Sequence, residues 1–171
     1  MIKLETDRLI LRNYTMEDID DIFEYFSDEE VSKYEDFNPM TRSEAEQLIM
    51  EWQDKDYRLV VEQKAENKVI GSIGYLKNIK GVCSIDYDFN PKYSKCGYAT
   101  EAAKRLIEHI FEIENIQMLY AECDILNINS RKLLERLGFL QISQKEGDSY
   151  KNDKSGNPIF ITSCTYMLLR S

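Results

Sequence analysis

Apolar residues recur along this chain with two periods, and the switches between them divide it into elements. Leu9-Ile10-Leu11 is a short apolar run between Arg8 and Arg12 and predicts a strand. Thr15, followed by Glu17 and Asp18, predicts a helix N-cap with an acidic first turn. Ile19, Ile22, Phe23 and Phe26 then repeat at three- and four-residue spacing, which predicts an amphipathic helix. A mixed connection over 27–40 follows, carrying Tyr34, Glu35, Asp36 and Phe37. Ser43-Glu44-Ala45-Glu46 reads as a capping box. The helix behind it buries Ala45, Leu48, Ile49 and Trp52, with Trp52 as a core residue. From residue 58 the period shortens. Runs 59–61 and 69–73 predict strands around a polar turn at 64–68, and a turn at 78–81 leads to a strand at 82–89. Strands joined by turn-length links form an antiparallel meander. Gly71 and Gly74 inside this pattern mark a bulge or a close backbone approach.

At about 100° per residue, Ala99, Ala102, Ala103, Leu106, Ile107, Ile110 and Ile113 share one helix face, opposite Glu101, Lys104, Arg105, Glu108 and Glu112. Residues 118–124 predict another strand. Asn127 to Ser130 cap a short helix carrying Leu133, Leu134 and Leu137, and Gly138 ends it with Phe139 folding back on the last turn. Two strands, 140–150 and 159–169, flank a polar loop at 151–158. The sum is one α+β domain over residues 1–171, a mixed, mainly antiparallel seven-stranded sheet with helices on both faces.

Composition narrows the function. Lys plus Arg number 22 against 31 Asp plus Glu, for a net charge of −9. That surface does not displace counterions from a nucleic acid, so no nucleic-acid partner is expected. Cys83, Cys96, Cys123 and Cys164 contain no C-x-x-C pair, and His109 is the one histidine. Neither a zinc site nor a disulfide framework is expected, and reduced thiols point to the cytoplasm. The N-terminus lacks the apolar run of a signal peptide, and no run reaches membrane-span length, so no membrane partner is expected. A homodimer is compatible with the sequence. His109 lies roughly 18 Å along its helix from Gly97 at 1.5 Å per residue, too far to act at the helix start.

The most informative stretch runs from Asn90 to Ala102. A glycine-containing turn between a strand and a helix leaves backbone N–H groups free at the positive end of a helix dipole, which is a seat for phosphate. It lacks the lysine-and-hydroxyl ending of a P-loop. Lys95 either contacts a phosphate there or is simply solvated.

Three blocks carry a resemblance. Gly97-Tyr98-Ala99-Thr100-Glu101-Ala102 resembles the pyrophosphate turn of the GNAT superfamily of acyl-CoA-dependent N-acyltransferases. Asn127 to Ser130, with Leu133-Leu134-Glu135-Arg136-Leu137-Gly138-Phe139, resembles its second block. Glu5-Thr6-Asp7-Arg8-Leu9-Ile10-Leu11-Arg12 resembles the opening of the RimJ/RimL-like, ribosomal-protein N-terminal acetyltransferase branch. The chain departs from the pattern at Ser94 and Lys95, at Asp86 where the branch often has Gly, and at Leu134 where many relatives carry a tyrosine acid.

The resemblance implies a GNAT-like fold, acetyl-CoA as co-substrate with no metal, and direct acetyl transfer to a primary amine of a small molecule or protein N-terminus. It implies that Ser94, Lys95, Cys96, Gly97, Tyr98, Ala99 and Thr100 hold the pyrophosphate. Backbone groups of Tyr87, Asp88 and Phe89 would meet the pantetheine arm and the oxyanion. The candidate bases are Glu35, Asp86 or Asp88, and Glu122. Ser130 is the candidate donor to the thiolate, with helix capping as its ordinary alternative, and Asn127 organises the cofactor channel. Cys96 as an acyl-cysteine nucleophile would need an activating base. A CoA-binding sensor without efficient turnover is the alternative function.

Overall fold

The computed structural model describes residues 2–78, 82–113 and 115–170. The sheet has eight strands: β1 (Lys3–Glu5), β2 (Leu9–Arg12), β3 (Arg58–Gln63), β4 (Lys68–Lys77), β5 (Cys83–Phe89), β6 (Met118–Asp124), β7 (Leu140–Asn152) and β8 (Pro158–Leu169). Their spatial order is β1-β2-β3-β4-β5-β6-β8-β7. The eighth strand, against seven expected, is β1. It has three residues of which Leu4 alone is buried, too short for alternation to reveal it. Residues 79–81 of the expected turn lie outside the described residues.

Helices α1 (Ile19–Phe26), α2 (Glu29–Ser32), α3 (Arg42–Trp52), α4 (Tyr98–Ile113) and α5 (Ile128–Arg136) cover the sheet. Thr15 does open the first helical segment, by way of a single 3-10 turn at Met16–Asp18. The expected connection at 27–40 contains α2, capped by Asp28. The capping box of α3 belongs to Thr41 and Glu44 rather than to Ser43 and Glu46. Met40 N–H donates to the Phe26 carbonyl at 2.9 Å, which docks the chain just before Thr41 and starts the helix there.

Two apolar cores lie on opposite faces of the sheet. On β3, Leu59 and Val61 join the core beneath α4 and α5, while Val60 joins the core beneath α1 and α3. That is why residues 59–61 read as an unbroken apolar run rather than an alternation. Each fully buried aliphatic side chain contributes about 1.5–3 kcal/mol. Polar ties fix α1 in place: Lys68 Nζ lies 2.7 Å from Asp21 and 2.9 Å from Glu24, and Glu24 also accepts from Asn90 and Lys92 just after β5. The hydrogen bonds from Lys92, Lys68 and Asn90 hold the Glu24 carboxyl down at about 2. Among the described residues no helix is long and apolar enough to cross a membrane.

One pairing in the sheet is parallel, and it is short. β5 and β6 pair only at Cys83 with Leu119 and Ser84 with Tyr120, then diverge.

Candidate active site

The stretch after β5 winds tightly toward α4. The Asn90 side chain accepts from Lys92 N–H at 3.0 Å and starts a 3-10 turn at Pro91–Tyr93. Lys95 at φ 62° and Gly97 at φ 82° then bend the chain into α4. A Cβ on Gly97 would meet only the Arg8 guanidinium at 3.5 Å, so glycine is needed there for conformation, not for room. The opening N–H groups of α4 have no partner within the helix, and Ser94 to Gly97 are exposed. Glu101 in the first turn would repel an anion, but its carboxylate is engaged elsewhere. It accepts from the Thr6 hydroxyl and from Arg8 Nε at 2.7 Å. Arg8 Nη1 also donates to the Cys96 carbonyl at 3.0 Å, and its guanidinium lies 4.5 Å over the Tyr98 ring. The N-terminal block therefore braces the turn, which gives two of the sequence blocks one structural purpose.

Where β5 leaves β6, a recess of about 490 Å³ opens. Glu35, Asp86, Tyr87, Asp88, Asn127 and Ser130 all line it, as does Glu122. Phe89 and residues 94–100 do not; they lie along the path from the recess to the start of α4. Alternation along β5 splits the lining. Asp86 and Asp88 face the side of α1 and α3, while Ile85, Tyr87 and Phe89 face the core beneath α4 and α5. The recess thus has an acidic wall and a hydroxyl wall.

On the acidic wall, burial raises the Glu35 carboxyl, the charges of Asp36 and Asp86 add to the rise, and Lys151 opposes it; Glu35 is pushed up to about 7. Burial also raises Asp86, against the pull of Arg58. Burial, with Glu35 and Asp86 nearby, raises Asp88 well above the usual carboxylate range. The Asp86 side chain is still 44% exposed because it is wetted from inside the recess, so its rise is smaller than that of Asp88. Arg58 pairs with Asp86 and stacks 4.9 Å over Trp52. Gly74 makes room for this, since a Cβ there would come within 2.9 Å of Arg58 Cδ.

On the hydroxyl wall, the Tyr87 phenol lies 2.9 Å from Ser130 Oγ. Ser130 is not the cap of α5. Asn127 is, accepting from Ser130 N–H at 3.1 Å, so the Ser130 hydroxyl is left for other work. Leu134 is fully buried one turn further on. Cys123 also lines the recess, and burial pushes its thiol up to about 11, so it is a neutral thiol at pH 7. Cys96 is exposed and outside the recess, with its Sγ toward the Ser94 carbonyl.

Sequence reasoning missed four contributors. Trp52, expected as core, faces both core and recess. Arg58, Tyr150 and Lys151 carried no local signal. Lys151 closes the roof: its Nζ donates to the Ser32 carbonyl and, at 3.1 Å, to the Phe37 carbonyl, clasping the segment that holds Glu35.

The pattern that defines the Acetyltransferase (GNAT) domain family matches residues 8–140. A Bacillus licheniformis protein described as the uncharacterized N-acetyltransferase p20 is 34% identical over 157 residues, covering 86% of this chain and 85% of that protein. The crystal structure of a GNAT-family acetyltransferase from Bacillus anthracis superposes with a TM-score of 0.88 at 24% identity, over 98% of both chains. Spermidine N-acetyltransferase from Vibrio cholerae, solved with CoA and spermine, superposes with a TM-score of 0.78 at 20% identity, over 96% of both chains. The likeness to these two structures is one of fold.

Proposed function

Because the chain belongs to the GNAT acetyltransferase family and is an N-acetyltransferase by that membership, we propose that it carries acetyl from acetyl-CoA to a cationic primary amine bound against the acidic wall. The observation that carries this reading is the pairing, across one strand, of a proton-accepting wall with a hydrogen-bond-donating wall. The recess fits the co-substrate: an exposed anion seat at α4, with Glu101 neutralised by Arg8, leads along β5 to the split. The co-substrate would be held by Ser94 to Thr100 and supplies an activated acetyl thioester. The main chain of residues 87–89, freed where β5 leaves β6, offers donors for the developing oxyanion; one such donor contributes ~3 kcal/mol.

Glu35 takes the ammonium proton. With its carboxyl at about 7, the transfer from an α-amine of pKa ~8 costs about 1 kcal/mol and from an alkylamine of pKa ~10.4 about 5 kcal/mol. The α-amine of a peptide or a small amine of lowered pKa is therefore the acceptor we favour. Asp86 is committed to Arg58 and shapes the wall, and Asp88, raised well above the usual carboxylate range by burial and by Glu35 and Asp86, sits behind it. The bracing of the turn by Thr6, Arg8 and Glu101 supports a place in the RimJ/RimL-like branch, and four free cysteines support a reducing compartment.

The test is thiol release from acetyl-CoA across a panel of N-terminal peptides, amino-acid amides and diamines at pH 8. Turnover with at least one amine class is expected. Tight CoA binding with no turnover on any member would favour a binding module instead.

A further inference from the structure

The geometry points to Tyr87 as a positioning residue that orients the Ser130 hydroxyl toward the departing sulfur. The inference rests on the acetyl-transfer reading above and goes beyond it by assigning the hydroxyl wall.

A serine hydroxyl carries one proton and rotates freely. Unless something fixes it, that proton is spent on the nearest acceptor, commonly a carbonyl in its own helix. Ser130 lies in the first turn of α5 with its N–H already bonded to Asn127. Tyr87 reaches it from β5 on the same wall, 2.9 Å from Oγ and 3.5 Å from the Ser130 carbonyl. Either hydroxyl can donate across this contact; phenol is the stronger acid, which favours Tyr87 as the donor and Ser130 Oγ as the acceptor. That leaves the Ser130 proton outside the pair, with the neutral Cys123 thiol as the other group against the Ser130 side chain. Burial raises the Tyr87 phenol well above its usual value, so it keeps its proton throughout the working pH range. The pair therefore acts by hydrogen bonding and not by giving up a proton.

The placement is set by topology. β5 loses β6 as a neighbour after Ser84, so Tyr87 fills the opened gap instead of packing under a strand. Leu134, one turn beyond Ser130 on the same helix face, is buried and offers no hydroxyl. Tyr87 and Ser130 line the recess together, and Tyr34 and Tyr150 are its other hydroxyl-bearing lining residues.

Glu35 first takes the ammonium proton and passes it to solvent. In the transfer step the neutral amine nitrogen bonds to the acetyl carbon, the carbon–sulfur bond breaks with its electron pair going to sulfur, and the second nitrogen proton goes to the emptied Glu35 carboxylate. The thiolate so formed accepts the Ser130 hydrogen bond, which Tyr87 strengthens by polarising it. It later takes its proton from water, so neither hydroxyl is consumed.

The experiment reads the thiol of bound CoA directly. The ultraviolet absorbance of the thiolate is titrated with pH in complexes of CoA with the wild type, Tyr87→Phe, Ser130→Ala and the double variant. We expect the bound thiol pKa to lie below that of free CoA in the wild type and to rise by about one pH unit, a tenfold change, in Tyr87→Phe. It should rise further in Ser130→Ala and by no more in the double variant, since Tyr87 acts through Ser130. In turnover, kcat should fall roughly tenfold in Tyr87→Phe with little change in KM for the amine, and Ser130→Thr should keep most of the effect. Melting temperatures with and without CoA check folding of each variant, and the Ser130 series carries the test if Tyr87→Phe melts early. A bound-thiol pKa that is the same in wild type and Tyr87→Phe, or additive effects of the two substitutions, overturns the inference. A wild type that fails to bind CoA overturns the functional reading itself.

Discussion

Replacing Glu35 with glutamine should make the protein more stable and much less active, and the two effects have one origin. In the unfolded chain Glu35 titrates near 4.5 and in the fold near 7. Below pH 4.5 both states hold the proton and the difference is silent. Between 4.5 and 7 the native state binds more protons than the unfolded one, so stability falls as pH rises. Above pH 7 the full difference is lost: 7 − 4.5 is 2.5 pH units, or roughly 3 kcal/mol at 1.36 kcal/mol per unit. Glutamine escapes this cost because it stays neutral. The variant should therefore gain up to about 3 kcal/mol at pH 8, which for a chain of this size is roughly 6–12 °C in Tm, and gain almost nothing at pH 4.5. Activity should fall by about 10²–10⁴-fold in kcat/KM, the usual contribution of a general base, and the rising limb of the pH profile near 7 should vanish. Differential scanning calorimetry at the two pH values and initial rates from pH 5.5 to 9 measure both. A variant with lower Tm at pH 8, or one that keeps the limb near 7, would show that Glu35 is neither strained nor the base.

Two further outcomes follow from the braces of the site. Gly97→Glu forces a side chain onto φ 82°, costing about 1–2 kcal/mol, and adds a negative charge at the positive end of α4. CoA affinity by calorimetry should drop at least about a hundredfold by the sum of strain and repulsion, and unchanged affinity would remove the turn as the phosphate seat. Lys151→Met releases the segment at 32–37 and withdraws a positive charge that holds the Glu35 carboxyl down. Cleavage by trypsin after Lys33 should quicken, KM for the amine should rise several-fold, and the limb near 7 should move to higher pH, while CoA affinity stays the same.

Long periodic signals in the chain are legible in the sequence; short local elements and distant contacts are not. The stripe of α4 and the glycine before it announced the helix and the tight turn that enters it. The capping of α3 was ambiguous for a physical reason: Thr41 to Glu44 and Ser43 to Glu46 both satisfy the capping-box spacing, and the choice is made by Met40 docking on Phe26, a tertiary contact. β1 escaped notice because three residues cannot display a period. Trp52 was assigned to the core because helical spacing says which face is apolar and not whether that face ends in a cavity. The clasp of Lys151 spans 114 and 119 residues to its carbonyl partners, and a lysine in a polar stretch carries no mark of such a contact. The carboxylates of the acidic wall were legible as candidates, but which of them would be raised to about 7 depended on burial.

The brief pairing of β5 with β6 has a further consequence for how the molecule comes apart. Two residue pairs join the half-sheet β1–β5 to the half-sheet β6–β8–β7, so the seam is the place where the fold opens at least cost. In the free protein, amides of residues 85–89 that face the gap should exchange with solvent hydrogen far sooner than those bonded to β4. A ligand laid along β5 would occupy that gap like a missing strand and protect both sides of it at once. If the proposed co-substrate lies along β5, its occupancy would set how firmly the two halves hold together across this seam.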